Sequence, residues 1–219
     1  MVQIYALCVG YLELDRASML SDLTPGRPWT VPVSSYLVVH PQGRLLFDTG
    51  VHSQSITDPV GRMGEERARR IRIRSQVGDD VISQLARAGL QPDHITYVVN
   101  SHLHFDHPLN YQLVDGEHDV FGDGKVLLIP TYGHTPGHQS LLVRTSKDTQ
   151  MVFTADACYT RENLDRDVLP RVLWDAATMS HSLATLRHLR DRQGATLFYG
   201  HDPDQWQAIR RVPAPLVEA

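Results

Sequence analysis

The stretch Ser101-His102-Leu103-His104-Phe105-Asp106-His107 places three histidines and an aspartate within six consecutive residues. Neutral imidazole and carboxylate are both good Zn²⁺ ligands, at about 2.0–2.1 Å and about 2.0–2.2 Å from the ion. The chain has 12 histidines, and they would rarely cluster in this way on a random surface. A run of polar surface residues is the alternative interpretation, and the density of ligands disfavours it. The stretch therefore predicts a metal site that includes His102, His104, Asp106 and His107.

The residues on the N-terminal side of this stretch predict how it is held. Ile95-Thr96-Tyr97-Val98-Val99-Asn100 is β-branched and aromatic, which is typical of a buried strand. The histidine-rich stretch then follows as a loop at the end of that strand. A loop on a rigid scaffold can hold several ligands around one ion.

Length and composition indicate one domain covering residues 1–219, and both α/β and all-β domains often have this length. An apolar share of 42% with 7% aromatic residues supports a core of ordinary size, and Cys8, in an apolar run, is expected within it. The net charge of −4 disfavours nucleic acid or an anionic membrane as the main partner. No apolar run approaches the ~18 residues of a membrane span, and the N-terminus lacks the basic region of a signal peptide. We therefore expect a cytoplasmic protein.

The pattern of strands and helices is similar in the two halves of the chain. The sequence predicts strands at residues 2–9, 34–40, 44–48, 95–100, 125–129, 140–144, 151–154 and 196–199. It predicts two helices, one from Asp79 and Asp80 to Gly89 with Ile82 facing inward, the other from an Asp175 cap to Gly194. This succession favours two sheets packed together with helices outside, an αββα four-layer sandwich.

Three further residues follow predicted strands in the manner of the histidine cluster: His134, Asp156 and His201. Each alone has an ordinary interpretation as a loop or turn residue. Together with the cluster they make five histidines and two aspartates, which suits two adjacent metals that share a carboxylate. The two ligand sets would be His102, His104 and His134, and Asp106, His107 and His201, with Asp156 as the bridge. Two close metals favour hydrolysis, since water between them is deprotonated near neutral pH. His138, beside this site, is expected to support the ligands.

The pattern His102-x-His104-x-Asp106-His107, with the three later ligands, resembles the metallo-β-lactamase superfamily, whose αββα fold matches the predicted layers. Phe47-Asp48-Thr49-Gly50 lies where that superfamily has a strand-end aspartate. The resemblance implies that Asp48 supports the metal ligands through hydrogen bonds. An Asp-Thr-Gly triplet also occurs in aspartic proteases, but the histidine cluster has no role in such an enzyme.

Within the superfamily the sequence is most similar to the N-acyl homoserine lactonases, which quench bacterial quorum sensing. The similar stretches lie along nearly the whole chain at residues 23–26, 101–107, 135–141, 156–163 and 200–202. The resemblance implies that Tyr159 hydrogen-bonds the substrate near the lactone carbonyl and that Asp106 protonates the departing alkoxide. The acyl tail needs an apolar groove, and Phe105, inside the metal loop, is a candidate to line it, with a place in the core as the alternative. The resemblance also implies two Zn²⁺ ions per chain, with cobalt or iron as alternatives, and a small-molecule homoserine lactone as partner.

The chain departs from the family pattern directly after His107. Pro108 follows at once, and His134 comes only 27 residues after His107, whereas the family has a longer segment here. The simplest interpretation is the loss of several tens of residues between His107 and Pro108. That segment would normally wall the pocket.

Two alternative functions stay open at this point. One is another hydrolase of the same fold, such as a glyoxalase-II-like thioesterase, a β-lactamase or an arylsulfatase-like enzyme. The other is a metal-binding relative without turnover. Homodimers are common among similar proteins, and the sequence leaves the choice between monomer and homodimer open.

Overall fold

The computed structural model describes residues 1–102, 112–145 and 149–217, which form two compact units, Met1–Val99 with His201–Ala219 and Asn100–Gly200. The strands of these described residues are β1 (Gln3–Asp15), β2 (Pro28–His40), β3 (Gly43–Phe47), β4 (Arg72–Ile73), β5 (Tyr97–Val99), β6 (His118–Asp119), β7 (Val126–Pro130), β8 (Gln139–Arg144), β9 (Gln150–Phe153) and β10 (Thr196–Phe198). The α-helices are α1 (Ser53–Thr57), α2 (Pro59–Met63), α3 (Glu65–Arg70), α4 (Val81–Arg87), α5 (Arg161–Arg166), α6 (Ala176–Gln193) and α7 (Pro203–Ala208).

The first unit contains a five-stranded sheet with the order β4-β1-β2-β3-β5. The long strands β1 and β2 are antiparallel, and β5 lies parallel to β3. Alternate apolar side chains of β1 to β3 point to one face and pack with Leu85 of α4, as period-two alternation requires. The residues of this cluster are Leu7, Val9, Leu37, Leu46 and Leu85.

Two predictions of which side chains are buried in the first unit are wrong. The strand at 95–100 was expected to be buried, but Tyr97 is 45% and Val98 54% exposed. Because β5 is the outermost strand of this sheet among the described residues, part of its apolar surface stays in water. Ile82 of α4 was expected to face inward and is 58% exposed, while Leu85, three residues later, is buried as expected.

The second unit contains the other five-stranded sheet, in the order β10-β9-β8-β7-β6. Strands β7, β8 and β9 are antiparallel neighbours, and β10 lies parallel to β9. Helix α6 buries Leu183 and Leu186 in a cluster that also contains Leu127, Leu142 and Val152. This cluster holds the strand ends from which the candidate site is built.

The ends of the two predicted helices are confirmed. The Asp175 side chain accepts a hydrogen bond from the Thr178 amide, and Gly194 ends α6 in the left-handed conformation. The Asp80 side chain caps α4 in the same manner. Five short helices were not predicted: α1, α2, α3, α5, which begins with a capping box formed by Thr160 and Asn163, and α7.

The described parts of the chain contain no helix that combines the length and the apolar character required to cross a bilayer.

Candidate metal centre

Three side chains of the second unit converge on one point. The ligand atoms of His102, His134 and Asp156 all lie within 4.8 Å of one another. His134 is buried, and the other two are partly exposed. These residues come from three separate loops, so the convergence is a product of the fold.

His134 is fixed by the contact between its loop and α6. The backbone amide of Trp174 donates to the carbonyls of Gly133 and His134 at 2.9 and 3.1 Å, and the Ser182 hydroxyl donates to the Tyr132 carbonyl at 2.6 Å. Gly133 has φ +127, and a Cβ there would lie 2.4 Å from the Met179 backbone. Only glycine allows this close approach.

His102 is fixed through its neighbour Ser101. The Gln139 amide donates to the Ser101 carbonyl at 2.8 Å, which ties this backbone to β8. The Ser101 hydroxyl lies 2.8 Å from Nδ1 of His102. One ring nitrogen is therefore engaged, and the ring orientation is set.

Asp156 lies in a turn of 3₁₀ helix directly after β9. The Thr154 hydroxyl supports this turn by bonding to the carbonyls of Cys158 and Phe198, at 2.9 and 3.1 Å. Ala155 has a positive φ of 45°, an uncommon conformation for a residue with a side chain. Such local strain is retained where the surrounding structure holds the backbone in place.

The separations between the three ligands suit a cation. Oδ2 of Asp156 lies 3.4 Å from Nε2 of His134 and 3.7 Å from Nε2 of His102, too long for good hydrogen bonds. Two ligands of a tetrahedral Zn²⁺ are separated by about 3.4 Å when each is about 2.0–2.1 Å from the ion. Both imidazoles present Nε2 to the carboxylate and use Nδ1 for a hydroxyl partner. The donor set therefore fits a transition-metal ion.

Tyr159 is the hydroxyl partner of His134, as Ser101 is of His102. Its OH lies 3.3 Å from Nδ1 of His134, and its side chain is buried. Burial, followed by the negative charge of Asp156, raises the pKa of Tyr159 well above its ordinary value. The phenol is therefore protonated at neutral pH and can donate a hydrogen bond.

His138 packs directly against the ligands. Its ring is stacked on that of His102, with centroids 5.4 Å apart. Nδ1 of His138 lies 2.9 Å from the Thr131 hydroxyl, which is 2.7 Å from the hydroxyl of Ser140. This buried chain of polar groups fixes the position of the ring behind His102.

Two predicted site residues belong to the first unit. Nδ1 of His201 lies 2.7 Å from the Pro32 carbonyl, which leaves Nε2 as the nitrogen suited to a metal. Asp48 follows β3 with a positive φ of 60°, and its carbonyl accepts a hydrogen bond of 2.6 Å from the Ser35 hydroxyl. The predicted residues His104, Phe105, Asp106 and His107 lie outside the described residues.

Sequence reasoning missed the residues that position the ligands. Ser101 orients His102, and Gly133 allows the loop of His134 to approach α6. The position of Ser101 directly before the first histidine was a signal that could have identified it. Thr131 offered no such signal, because its partners are brought to it by the pairing of β7 with β8.

Comparison with known proteins identifies the family of the chain. The family model described as the metallo-beta-lactamase superfamily matches residues 28–107 and 108–201, most of the chain. The chain belongs to the metallo-beta-lactamase superfamily. The two matched parts meet between His107 and Pro108, the junction at which the sequence predicts a lost segment.

Curated relatives in this superfamily align along nearly their whole length. The N-acyl homoserine lactonase AiiA of Bacillus thuringiensis subsp. kurstaki is 28% identical over 246 positions, covering 96% of this chain and 97% of the relative. The N-acyl homoserine lactonase AttM of Azorhizobium caulinodans is 28% identical, with 97% of each chain covered. An alignment of 246 positions exceeds the 219 residues of this chain, so AiiA has residues without a counterpart here.

Solved structures of superfamily members have the same fold. An N-acyl homoserine lactone hydrolase with the product N-hexanoyl-L-homoserine at its catalytic metal centre superposes with a TM-score of 0.87 at 29% identity, covering 97% of this chain and 98% of that one. AidC, a dizinc quorum-quenching lactonase, superposes with a TM-score of 0.66 at 14% identity, covering 100% and 95%, and is similar in fold alone. The predicted α/β class and metallo-β-lactamase-like fold are confirmed.

Proposed function

We propose that this chain is a metal-dependent hydrolase that opens the lactone ring of N-acyl homoserine lactones. The observation that carries the proposal is the convergence of His102, His134 and Asp156 with the Tyr159 hydroxyl on His134. The near full-length similarity to lactonases supports the choice of substrate. Residues 1–219 would act as one hydrolase domain.

The metal part of the proposal is a pair of Zn²⁺ ions, with cobalt or iron as alternatives. When bound, the two cations would supply an activated water and an electrophile for the carbonyl group. We assign His102, His104 and His134 to the first ion and Asp106, His107 and His201 to the second, with Asp156 shared between them.

The protein side chains would bind and orient the lactone. The protonated Tyr159 hydroxyl is suited to donate a hydrogen bond to the oxygen on which negative charge develops. Asp106 would deliver a proton to the ring oxygen as the ester bond breaks, and Phe105 would line the path of the acyl tail. Ser101 and His138 would keep the ring of His102 in place.

The cellular setting is part of the same proposal. The two cysteines of the chain, Cys8 and Cys158, form no disulfide, which is the usual state in a reducing cytoplasm. We propose a cytoplasmic enzyme that acts on a diffusible small molecule, alone or as a homodimer.

The experiment that tests the proposal compares two buried tyrosines of the second unit. Protein loaded with Zn²⁺ is mixed with N-hexanoyl homoserine lactone, and the proton released on ring opening is followed in a weakly buffered solution. Tyr159→Phe, assayed in saturating Zn²⁺ so that wild type and variant are equally loaded, should lower kcat about 10²–10³-fold, the cost of losing one oxyanion donor. Tyr199→Phe, a matched loss of a buried hydroxyl, should leave kcat unchanged.

Two outcomes would contradict the proposal. Metal-loaded, folded protein that opens no lactone would favour a binding protein without turnover, which the missing segment after His107 makes a specific alternative. Turnover of thioesters such as S-lactoylglutathione in place of lactones would favour a glyoxalase-II-like enzyme.

A further inference from the structure

The first unit contains a cavity of about 460 Å³ that has no part in the proposed reaction. This volume falls within the range of about 300–1,000 Å³ typical of small-molecule sites. The lining residues are Cys8 of β1, Gln84 and Arg87 of α4, and Ile209, Arg211 and Val212 of the C-terminal segment. Cys8 was expected in the core, and instead it is partly exposed at the wall of this cavity.

The walls of the cavity are held by backbone interactions. The pairing of β1 with β2 shifts register between Cys8 and Tyr11, and such an irregularity bends the strand locally. The amide of Val212 donates to the Ala6 carbonyl at 3.1 Å, which fixes the C-terminal segment along β1. The Gln84 side chain donates to the Gly78 carbonyl at 3.3 Å. The backbone of the fold therefore sets the shape of the cavity.

The charge of the lining is entirely positive. Arg87 and Arg211 are the charged residues that line the cavity, and no acidic side chain lies among the six. In the described part of the chain neither arginine makes an ion pair, whereas Arg74 and Arg190 pair with carboxylates at 2.9 and 2.5 Å. Two guanidinium groups are thus available to a ligand.

The contact that Arg211 makes with Trp206 leaves the N–H groups of its guanidinium able to donate hydrogen bonds to a ligand. Its guanidinium carbon lies 5.8 Å from the centroid of the Trp206 ring, a cation–π contact that uses the face of the group. The N–H groups at its edge remain suited to the two oxygens of a carboxylate or phosphate. The Arg211 charge also acts on Tyr11, whose pKa is raised by burial and by the neighbouring Cys8 thiol and lowered by Arg211.

We propose that this cavity binds a small organic anion with two acidic groups, each recognised by one of the two arginines. Carboxylate and phosphate share the planar or near-planar pairs of oxygens that a guanidinium recognises, so the class covers dicarboxylates and phosphorylated acids. The Cys8 thiol, which lines the same space, reports on whether the cavity is filled.

The first experiment measures the charge preference of the cavity through Cys8. The protein is alkylated with iodoacetate, an anion, or with iodoacetamide, its neutral analogue, and peptide mapping separates Cys8 from the buried Cys158. Relative to N-acetylcysteine, Cys8 should favour iodoacetate about 3–10-fold, because a positive cleft concentrates anions. Arg87→Gln and Arg211→Gln should each lower this preference, and Arg69→Gln, an exposed arginine outside the cavity, should not.

The second experiment measures binding. Increasing succinate or 3-phosphoglycerate should slow the reaction of Cys8 with iodoacetamide, and this protection should reach saturation. A parallel titration with inorganic phosphate distinguishes a site for the whole organic anion from a site for a single acidic group. Succinamide and sodium chloride at equal ionic strength should give no protection. The Arg211→Gln variant, if folded by circular dichroism, should lose the protection.

The proposal would be overturned if Cys8 showed the charge preference of N-acetylcysteine. It would also be overturned if succinamide or sodium chloride protected Cys8 as well as succinate does. Neither experiment depends on lactone turnover or on metal, so its failure is separate from a failure of the proposed function.

Discussion

Replacing Gly133 with alanine tests whether the close contact between its loop and α6 holds His134 in place. Gly133 has φ +127, and a Cβ at this position would lie 2.4 Å from both N and Cα of Met179. Both atoms belong to the backbone of α6, so neither can move without displacing the helix. Relief of this overlap requires the loop to move away from α6, and His134 moves with it.

The expected loss of stability has two contributions. A residue with a side chain in an unfavoured backbone conformation costs about 1–3 kcal/mol. Forcing an extra carbon into a packed position costs about 1–3 kcal/mol more. Gly133→Ala should therefore lower the free energy of unfolding by about 2–6 kcal/mol, and metal affinity should fall because His134 is displaced.

The assay is urea unfolding followed by circular dichroism, together with metal content measured by mass spectrometry after equilibration with limiting Zn²⁺. Gly137→Ala is the matched control, since Gly137 lies in the same loop, has no positive φ, and has nothing within 4 Å of an added Cβ. The control should change stability by less than about 0.5 kcal/mol. Equal stability and equal metal content in the two variants would refute the assignment of Gly133 as the residue that anchors this loop.

Two further predictions concern hydroxyl groups. Ser101→Ala removes the partner of Nδ1 of His102 and should weaken Zn²⁺ binding about 10–100-fold in a chelator competition; unchanged affinity would show that Ser101 does not orient the ring. Burial raises the pKa of Tyr36 to about 12, so between pH 10 and 12 the unfolded chain loses a proton that the folded chain keeps, and stability falls as pH rises. Wild type should lose about 2–3 kcal/mol more than Tyr36→Phe over this range in urea unfolding, and parallel curves would contradict the prediction.

Local sequence patterns predicted the regular elements wherever the signals were strong. Helix α6 has an aspartate cap at Asp175, apolar residues at helical spacing and a glycine at its C-terminal end, and these signals act through neighbouring residues alone. Helix α7 was missed because it has six residues and buries little besides Trp206. A segment of six residues is too short to show a clear hydrophobic periodicity.

Burial was the property that local patterns predicted least well. Tyr97 and Val98 have the composition of an interior strand, yet β5 lies at the outer position of its sheet among the described residues. Cys8 lies in an apolar run, yet the register shift of β1 and the course of the C-terminal segment place it at a cavity. Whether an apolar side chain is covered depends on which element packs over it.

The amino-acid sequence determined the type of chemistry, because the number and spacing of imidazoles and carboxylates can be recognised without any knowledge of the fold. It also determined the longer strands and the two helices with clear caps, since periodicity and capping depend on residues within a few positions of one another. Only the tertiary structure decided that His102, His134 and Asp156 meet. It also decided that the hydroxyls of Ser101 and Tyr159 lie at Nδ1 of His102 and His134, while Nε2 of each ring faces Asp156. Contacts between such distant positions arise when strand pairing and core burial fix the loops, and no local pattern encodes that arrangement.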